Sequence, residues 1–296
     1  MEQTKVGMVG IGLMGHGIAT NVVKHGHALT VLEHAGNQPL DQLKAAGARS
    51  CQDGASLAAQ SDVIILCVTG SPQVEAVLLD KGGVLEGLRP GTIIIDCSTA
   101  IPSSTIRIAQ AVHAKGGKFL DSPMTRTPKE AAEGRLNLLV GGDAALFEQV
   151  RPLLACFAEN IVHAGPVGAG HRMKLLHNYV SLGAIALISE AAACALRADI
   201  DPAIFVDVLK KGGGGGAALD RLAPYLLEQD PSSLKFFMSN ARKDISYYTE
   251  MAKETDAVCE IGSAVLQTFE QAVTEGGADR FVPELVSVLK TRGKTG

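Results

Sequence analysis

The sequence predicts a doubly wound, mostly parallel α/β sheet followed by an all-α domain, the two joined through one long interdomain helix. Three observations carry this reading. Short apolar strands alternate with helical patterns up to Gly165, the signature of a parallel sheet with crossover helices. From Gly168 onward only helical patterns remain, broken by Pro202, Pro231, the glycines 212–216 and Gly276-Gly277. Between the two regimes begins a long apolar segment interrupted only by Gly183. The 296 residues suffice for two cores, and the boundary is placed at 1–164 and 165–296.

In chain order, Lys5–Val9 reads as a strand, 16–25 as a helix and Ala28–Leu32 as a second strand. Helical patterns at 38–46 and 53–60 precede a buried strand over 62–68. A loop at 69–72 and a helix follow, then a strand over 91–96, a helix over 101–115 opened by Pro102, and strands at 118–121 and 135–140. Gly10-Ile11-Gly12-Leu13-Met14-Gly15 sits between the first strand and the first helix, and Glu33 ends the second strand. Glycines at that spacing, with an acid about 20 residues on, make a dinucleotide fingerprint. Gly10 gives the tight turn, Gly12 lets a pyrophosphate approach the backbone, and Gly15 permits close packing of helix on strand. The helix N-terminus faces the phosphates. Glu33 would accept from the adenosine ribose hydroxyls and repel a 2′-phosphate, so NAD is favoured over NADP; His34 rather than Arg follows it. Ligands of such sheets bind beyond the carboxyl ends of the strands. Val68 and Thr69, and Ser98 and Thr99, lie at those ends. Thr99 reads equally as a nicotinamide contact or as a turn residue. The glycine run reads equally as a mobile loop over a cleft or a flexible connection.

The long segment is hydrophobic almost all round, which predicts burial. Four polar residues break it at its start: Lys174, His177, Asn178 and Ser181, spaced i, i+3, i+4 and i+7 and so sharing one face. A lysine there either snorkels to solvent or has partners and a task. Residues 179–196 approach membrane-span length, but Glu190 within them and His177 and Asn178 just before favour an interdomain core helix.

The composition is 46% hydrophobic and 4% aromatic, with no Trp and a net charge of -4. No basic stripe points to nucleic acid. The six scattered cysteines, without a CxxC pair, read as reduced thiols of a cytoplasmic protein, and no signal peptide is expected. The histidines show no ligand spacing, so no metal is expected.

With these motifs in view, the chain resembles the β-hydroxyacid dehydrogenases, the family of 3-hydroxyisobutyrate dehydrogenase and tartronate semialdehyde reductase. Four motifs carry the likeness over essentially the whole length: Gly10–Gly15, Asp121-Ser-Pro-Met-Thr125-Arg126-Thr127, Gly168-Ala-Gly-His-Arg-Met-Lys174-Leu-Leu-His177-Asn178, and Lys243-Asp244. The resemblance implies a Rossmann-type first domain, Lys174 as catalytic acid/base, Asn178 beside it, and Lys243 at the cofactor. The family's second motif usually reads D-x-P-V-S-G-G, its Ser-Gly-Gly backbone holding the substrate carboxylate. Here Thr125, Arg126 and Thr127 stand in those places, which puts a guanidinium, a fork-shaped reader of anions, where the family has glycine. The sulfolactaldehyde reductase branch looks similar, with Gly-Arg-Thr in this loop and Arg-x-Lys-Leu-x-x-Asn-Tyr-x-Ser in the third motif. The chain departs from it at Thr125, where the branch has Gly, and at His177, where it has Asn. A sulfonate, a phosphate or a second carboxylate would each suit the loop.

The resulting expectation is reversible hydride transfer between NAD and a small anionic hydroxyacid or its semialdehyde, with Ser98, Thr125, Arg126, Thr127, His177 and Ser181 around the substrate. The competing readings are an imine reductase, which generally lacks the lysine, and a non-catalytic dinucleotide-binding protein. The apolar helical domain predicts a homodimer or homotetramer, without nucleic-acid or membrane partners.

Overall fold

The computed structural model describes residues 4–292. They divide into two compact units, the first ending at Lys174 and the second beginning at Leu175.

The first unit is built on a nine-stranded sheet. Its strands are β1 (Lys5–Val9), β2 (Ala28–Leu32), β3 (Arg49–Cys51), β4 (Val63–Leu66), β5 (Ile93–Asp96), β6 (Lys118–Asp121), β7 (Met124–Thr125), β8 (Leu136–Gly141) and β9 (Ala158–Gly165). The helices between them are α1 (Leu13–Lys24), α2 (Asp41–Ala45), α3 (Gly54–Ala59), α4 (Ser71–Leu79), α5 (Val84–Gly87), α6 (Pro102–Ala114), α7 (Pro128–Glu133) and α8 (Ala144–Leu154). The strand order is β3-β2-β1-β4-β5-β6-β8-β7, with β9 on β8. Strands β4 and β5 are buried along their whole length, because helices cover both faces of the sheet. That is why they read as continuous Val/Ile runs rather than alternations.

The connection from β3 back to β4 reverses the direction of winding at β1, so β1 pairs with β2 on one side and β4 on the other. A crevice opens at such a switch point, beyond the carboxyl ends of the strands. Two short strands escape the sequence pattern, β3 and β7, since two or three residues cannot display a period. The far edge departs from parallel: β8 runs antiparallel to β6 and β7, and β9 pairs parallel to β8. The first helix starts at Leu13, three residues earlier than expected, and α2 is shorter than the 38–46 pattern suggested.

The helix α9 (Ala169–Arg197) runs from the first unit into the second. The second unit continues with α10 (Pro202–Lys211), α11 (Ala217–Glu228), α12 (Met238–Glu254), α13 (Glu260–Ala272) and α14 (Leu285–Arg292). Leu182, Ile185 and Ala186 of α9 pack with Met238, Ile245, Phe269 and Leu285 in its core. The expectation that α9 is buried all round is corrected: Val180 and Leu187 are 69% and 72% exposed, and Ile261 on α13 is 71% exposed. They border an apolar groove of about 400 Å³ between α9 and α13. By length and hydropathy alone α9 could cross a membrane.

Candidate active site

The fingerprint loop takes its shape from close approaches. Gly10 has φ +89°, and a Cβ there would lie 2.2 Å from the Cys67 carbonyl oxygen. At Gly15 a Cβ would lie 1.9 Å from the Gly10 carbonyl oxygen, so α1 can begin against the loop only with glycine. Gly12 differs: a Cβ there would meet nothing within 4 Å. Its glycine leaves open space in front of the start of α1. That start has no side-chain cap and no acid in its first turn, so its N–H groups and positive dipole end are directed outward. The Ile11 N–H donates to Asn37 Oδ1, which steadies the loop. This cradle fits a pyrophosphate.

Glu33 stands at the end of β2, half-buried, and its carboxylate is already engaged. Ser50 Oγ and Lys44 Nζ donate to Oε1 at 2.6 and 3.0 Å, and Gln52 Nε2 donates to Oε2 at 2.6 Å. These hydrogen bonds, Ser50 first, hold its carboxyl at about 2. The residue therefore stays an anion, with Lys44 as its counter-charge.

The loops after β4 and β5 are tied together. Val68 N–H donates to Ser98 Oγ at 3.0 Å, and Ser98 N–H donates to Asp96 Oδ1 at 2.9 Å. Ser98 is buried, Thr99 is partly exposed and Thr69 is exposed. The Ser98 carbonyl accepts from His171 Nε2 at 3.1 Å, and Thr105 Oγ1 pairs with His171 Nδ1 at 2.7 Å. His171 is fully buried between Asp96 and Asp121, their Oδ2 atoms 4.0 and 3.8 Å away. Burial pushes the Asp96 carboxyl up, although His171 and Ser98 oppose this. Asp121 at the end of β6 accepts from the backbone of Gly168 at 2.7 Å and of His171 at 2.8 Å. It thus caps the first turn of α9 from another strand. Gly170 makes this possible, since a Cβ there would lie 2.2 Å from the Leu139 carbonyl oxygen. Lys174 follows on the next turn, half-buried.

The loop from Thr125 to Thr127 is held by contacts within the first unit. Thr125 Oγ1 accepts from Asn137 Nδ2 at 3.1 Å. Thr127 caps α7 in a reciprocal box with Glu130. Arg126 adopts φ +82°, a glycine-like backbone at a position where the resembled family has glycine, and its guanidinium pairs with Glu159 on β9 and with the Arg135 carbonyl. That pairing holds the Glu159 carboxyl below its usual range. All three side chains thus have partners within the chain.

In the second unit Asn178 is buried, and its Nδ2 donates to Asp244 Oδ2 at 2.6 Å. His177 Nδ1 lies 3.0 Å from Asn178 Oδ1, and Lys243 Nζ lies 2.9 Å from Asp244 Oδ1. Ser181 is half-buried one turn past His177. Sequence reasoning passed over His171, Asp96, Thr105 and Glu159. His171 lies inside a quoted motif, but nothing in a single sequence marks its burial between two acids.

Both parts of the chain are similar to known proteins. The family model described as the NAD binding domain of 6-phosphogluconate dehydrogenase matches residues 5–165. The one described as NAD-binding of NADP-dependent 3-hydroxyisobutyrate dehydrogenase matches residues 168–289. The NAD-dependent L-serine dehydrogenase of Pseudomonas aeruginosa is 31% identical over 93% of this chain and 94% of its own. The 3-sulfolactaldehyde reductase of Escherichia coli is 29% identical over 92% and 91%. A crystal structure of 3-hydroxyisobutyrate dehydrogenase from Salmonella typhimurium superposes with TM-score 0.84 at 25% identity, over 97% of this chain and all of that one. Both halves of the chain therefore match in order and at full length, and the protein belongs to the β-hydroxyacid dehydrogenase family, NAD-using oxidoreductases acting on CH–OH groups.

Proposed function

We propose that the protein interconverts a small β-hydroxyacid and its semialdehyde with NAD, and that the substrate carries a second anionic group. The observation that carries the finer reading is Arg126, a guanidinium held in a glycine-like backbone where the family's carboxylate loop has glycine. The likeness to the 2-(hydroxymethyl)glutarate dehydrogenase of Eubacterium barkeri, 30% identical over 91% of this chain and 90% of its own, supports it, since the substrate in that name is a dicarboxylate. The bound cofactor supplies the hydride.

The rest falls to this chain's residues. Gly10 to Gly15 with the start of α1 would hold the pyrophosphate, and Glu33 the ribose, with NAD preferred over NADP. Val68, Thr69, Thr99 and Lys243 would complete the cofactor contacts. Lys174 gives a proton to the carbonyl oxygen in reduction and takes it from the hydroxyl in oxidation. Asn178, one turn further along α9, hydrogen-bonds at the same locus. Thr125, Arg126 and Thr127, with Ser98, bind the acid groups, and His177 and Ser181 close the far end. An incoming dianion exchanges places with Glu159 on Arg126.

A second reading is a substrate with one carboxylate, favoured by the 31% identity to the L-serine dehydrogenase and by the pairing of Arg126 with Glu159. We also read the protein as a cytoplasmic homodimer or homotetramer, supported by the exposed apolar residues along α9 and α13. The deciding experiment measures NAD reduction with 2-(hydroxymethyl)glutarate, which carries two carboxylates, and with 3-hydroxyisobutyrate and L-serine, which carry one each, for the parent and for Arg126→Gly. The dianion reading expects highest kcat/KM on a substrate with two acidic groups, and a selective loss in the variant. Equal losses on all three would sink it.

A further inference from the structure

We propose that Asp244 is a positioning residue that fixes which face of the Asn178 amide is offered to the reacting groups and that holds the Lys243 ammonium beside it. The inference rests on the reading of Asn178 and Lys243 given under Proposed function.

Asp244 is 2% exposed on α12 and sits between the two residues. Its Oδ2 is 2.6 Å from Asn178 Nδ2. Its Oδ1 is 2.9 Å from Lys243 Nζ, a close ion contact off the direction of a hydrogen bond. A carboxylate only accepts, so the amide group facing it must be the NH₂. This removes the two-fold ambiguity of a primary amide. With its nitrogen committed to Asp244, Asn178 presents its carbonyl oxygen on the other side. His177 Nδ1–H satisfies one lone pair of that oxygen, at 3.0 Å. The second lone pair can accept from a proton-bearing group, the substrate hydroxyl or an ammonium, and cannot donate to a carbonyl. Asn178 therefore serves as an acceptor toward the hydroxyacid or the protonated lysine, not as an oxyanion donor. The same carboxylate, together with the Tyr247 ring 5.3 Å from Nζ, sets the direction of Lys243.

Substitutions at position 244 divide these two tasks. Asp244→Asn keeps an oxygen that can accept from Asn178 but offers Lys243 a neutral group. Asp244→Ala removes both. The measurements are kcat and KM for NADH, with thermal melting to follow folding. Asp244→Asn should keep kcat within about threefold while KM for NADH rises about tenfold, the scale of one charged hydrogen bond. Asp244→Ala should lose kcat about 10- to 100-fold as well, and combining it with Asn178→Ala should add little, because both act through one amide. Rescue of kcat by Asn at 244, with KM still raised, is a split that a purely structural carboxylate would not produce. If Asp244→Ala fails to fold, the split in Asp244→Asn alone decides. An Asp244→Asn enzyme with unchanged kcat and KM, or with both altered in proportion to lost stability, overturns the proposal while leaving the proposed function standing. An Asn178→Ala enzyme with full activity overturns both.

Discussion

Lys174 bears the proton transfer in this reading, and its replacement is the most direct check. Lys174→Ala should lower kcat by about 10²–10⁴, the usual scale for a general acid or base, with NADH binding retained because the fingerprint loop is untouched. Lys174→Arg should recover little, since guanidinium holds its proton at neutral pH. Fluorescence titration of NADH beside steady-state rates separates the two effects. Glu33 gives a prediction in pH. Its carboxyl is held at about 2 by Ser50, Lys44 and Gln52, so it is ionised throughout the working range and contributes no pH dependence there. On the cofactor side, the preference for NAD over NADP changes with the 2′-phosphate, which gains its second charge near pH 6. Discrimination should therefore sharpen as pH rises through about 6 and stay flat above about 7.5. A slope persisting above that range would remove Glu33 from the ribose site. At Arg126, exchange for glycine relieves a left-handed backbone that costs a side chain of order 1 kcal/mol, so melting temperature should hold or rise even as dianion kinetics suffer.

These residues differ in how far the sequence disclosed them. Gly10 to Gly15 was legible because the spacing of its glycines, set between a strand and a helix, is itself the signal, even though the carbonyl that Gly10 approaches is that of distant Cys67. The pairing of Arg126 with Glu159 was not, since 33 residues separate them and neither is special in its own surroundings. At the level of elements, strands buried on both faces and helices with a clear start were legible, whereas the antiparallel turn of β8 was not. Its direction is set by β7 and the capped turn of α7 between them, and two residues of strand carry no period. The start of α9 shows the same limit. Its cap is Asp121, 47 and 50 residues away from the amides it binds. Asp121→Asn should weaken that cap by about 1–3 kcal/mol, because the amide has one accepting oxygen and its NH₂ would face the N–H of Gly168 or of His171, leaving that donor without an acceptor. Gly170→Ala should cost about 1–3 kcal/mol by forcing a methyl group onto the Leu139 carbonyl, read as a fall in melting temperature.

For the molecule as a whole, the change from alternating strands to helices alone was enough to separate a sheet unit from a helical one. The compact units divide inside α9, at Lys174, a point the sequence does not mark because a continuous helix offers no change of composition there. Two helix starts of the first unit are treated oppositely: α9 receives Asp121, and α1 receives no side-chain cap among the described residues. A helix end left without an internal partner makes the folded state dependent on what comes from solution. A ligand that binds there binds only folded protein, and at a hundredfold excess over its Kd it adds about 2.7 kcal/mol to the free energy of unfolding. Cleavage by proteases follows the population of opened molecules when opening is fast. The lifetime of this enzyme in a protease-containing extract should then lengthen as dinucleotide is added, so that the size of the nicotinamide pool governs how much enzyme persists as well as how fast it turns over.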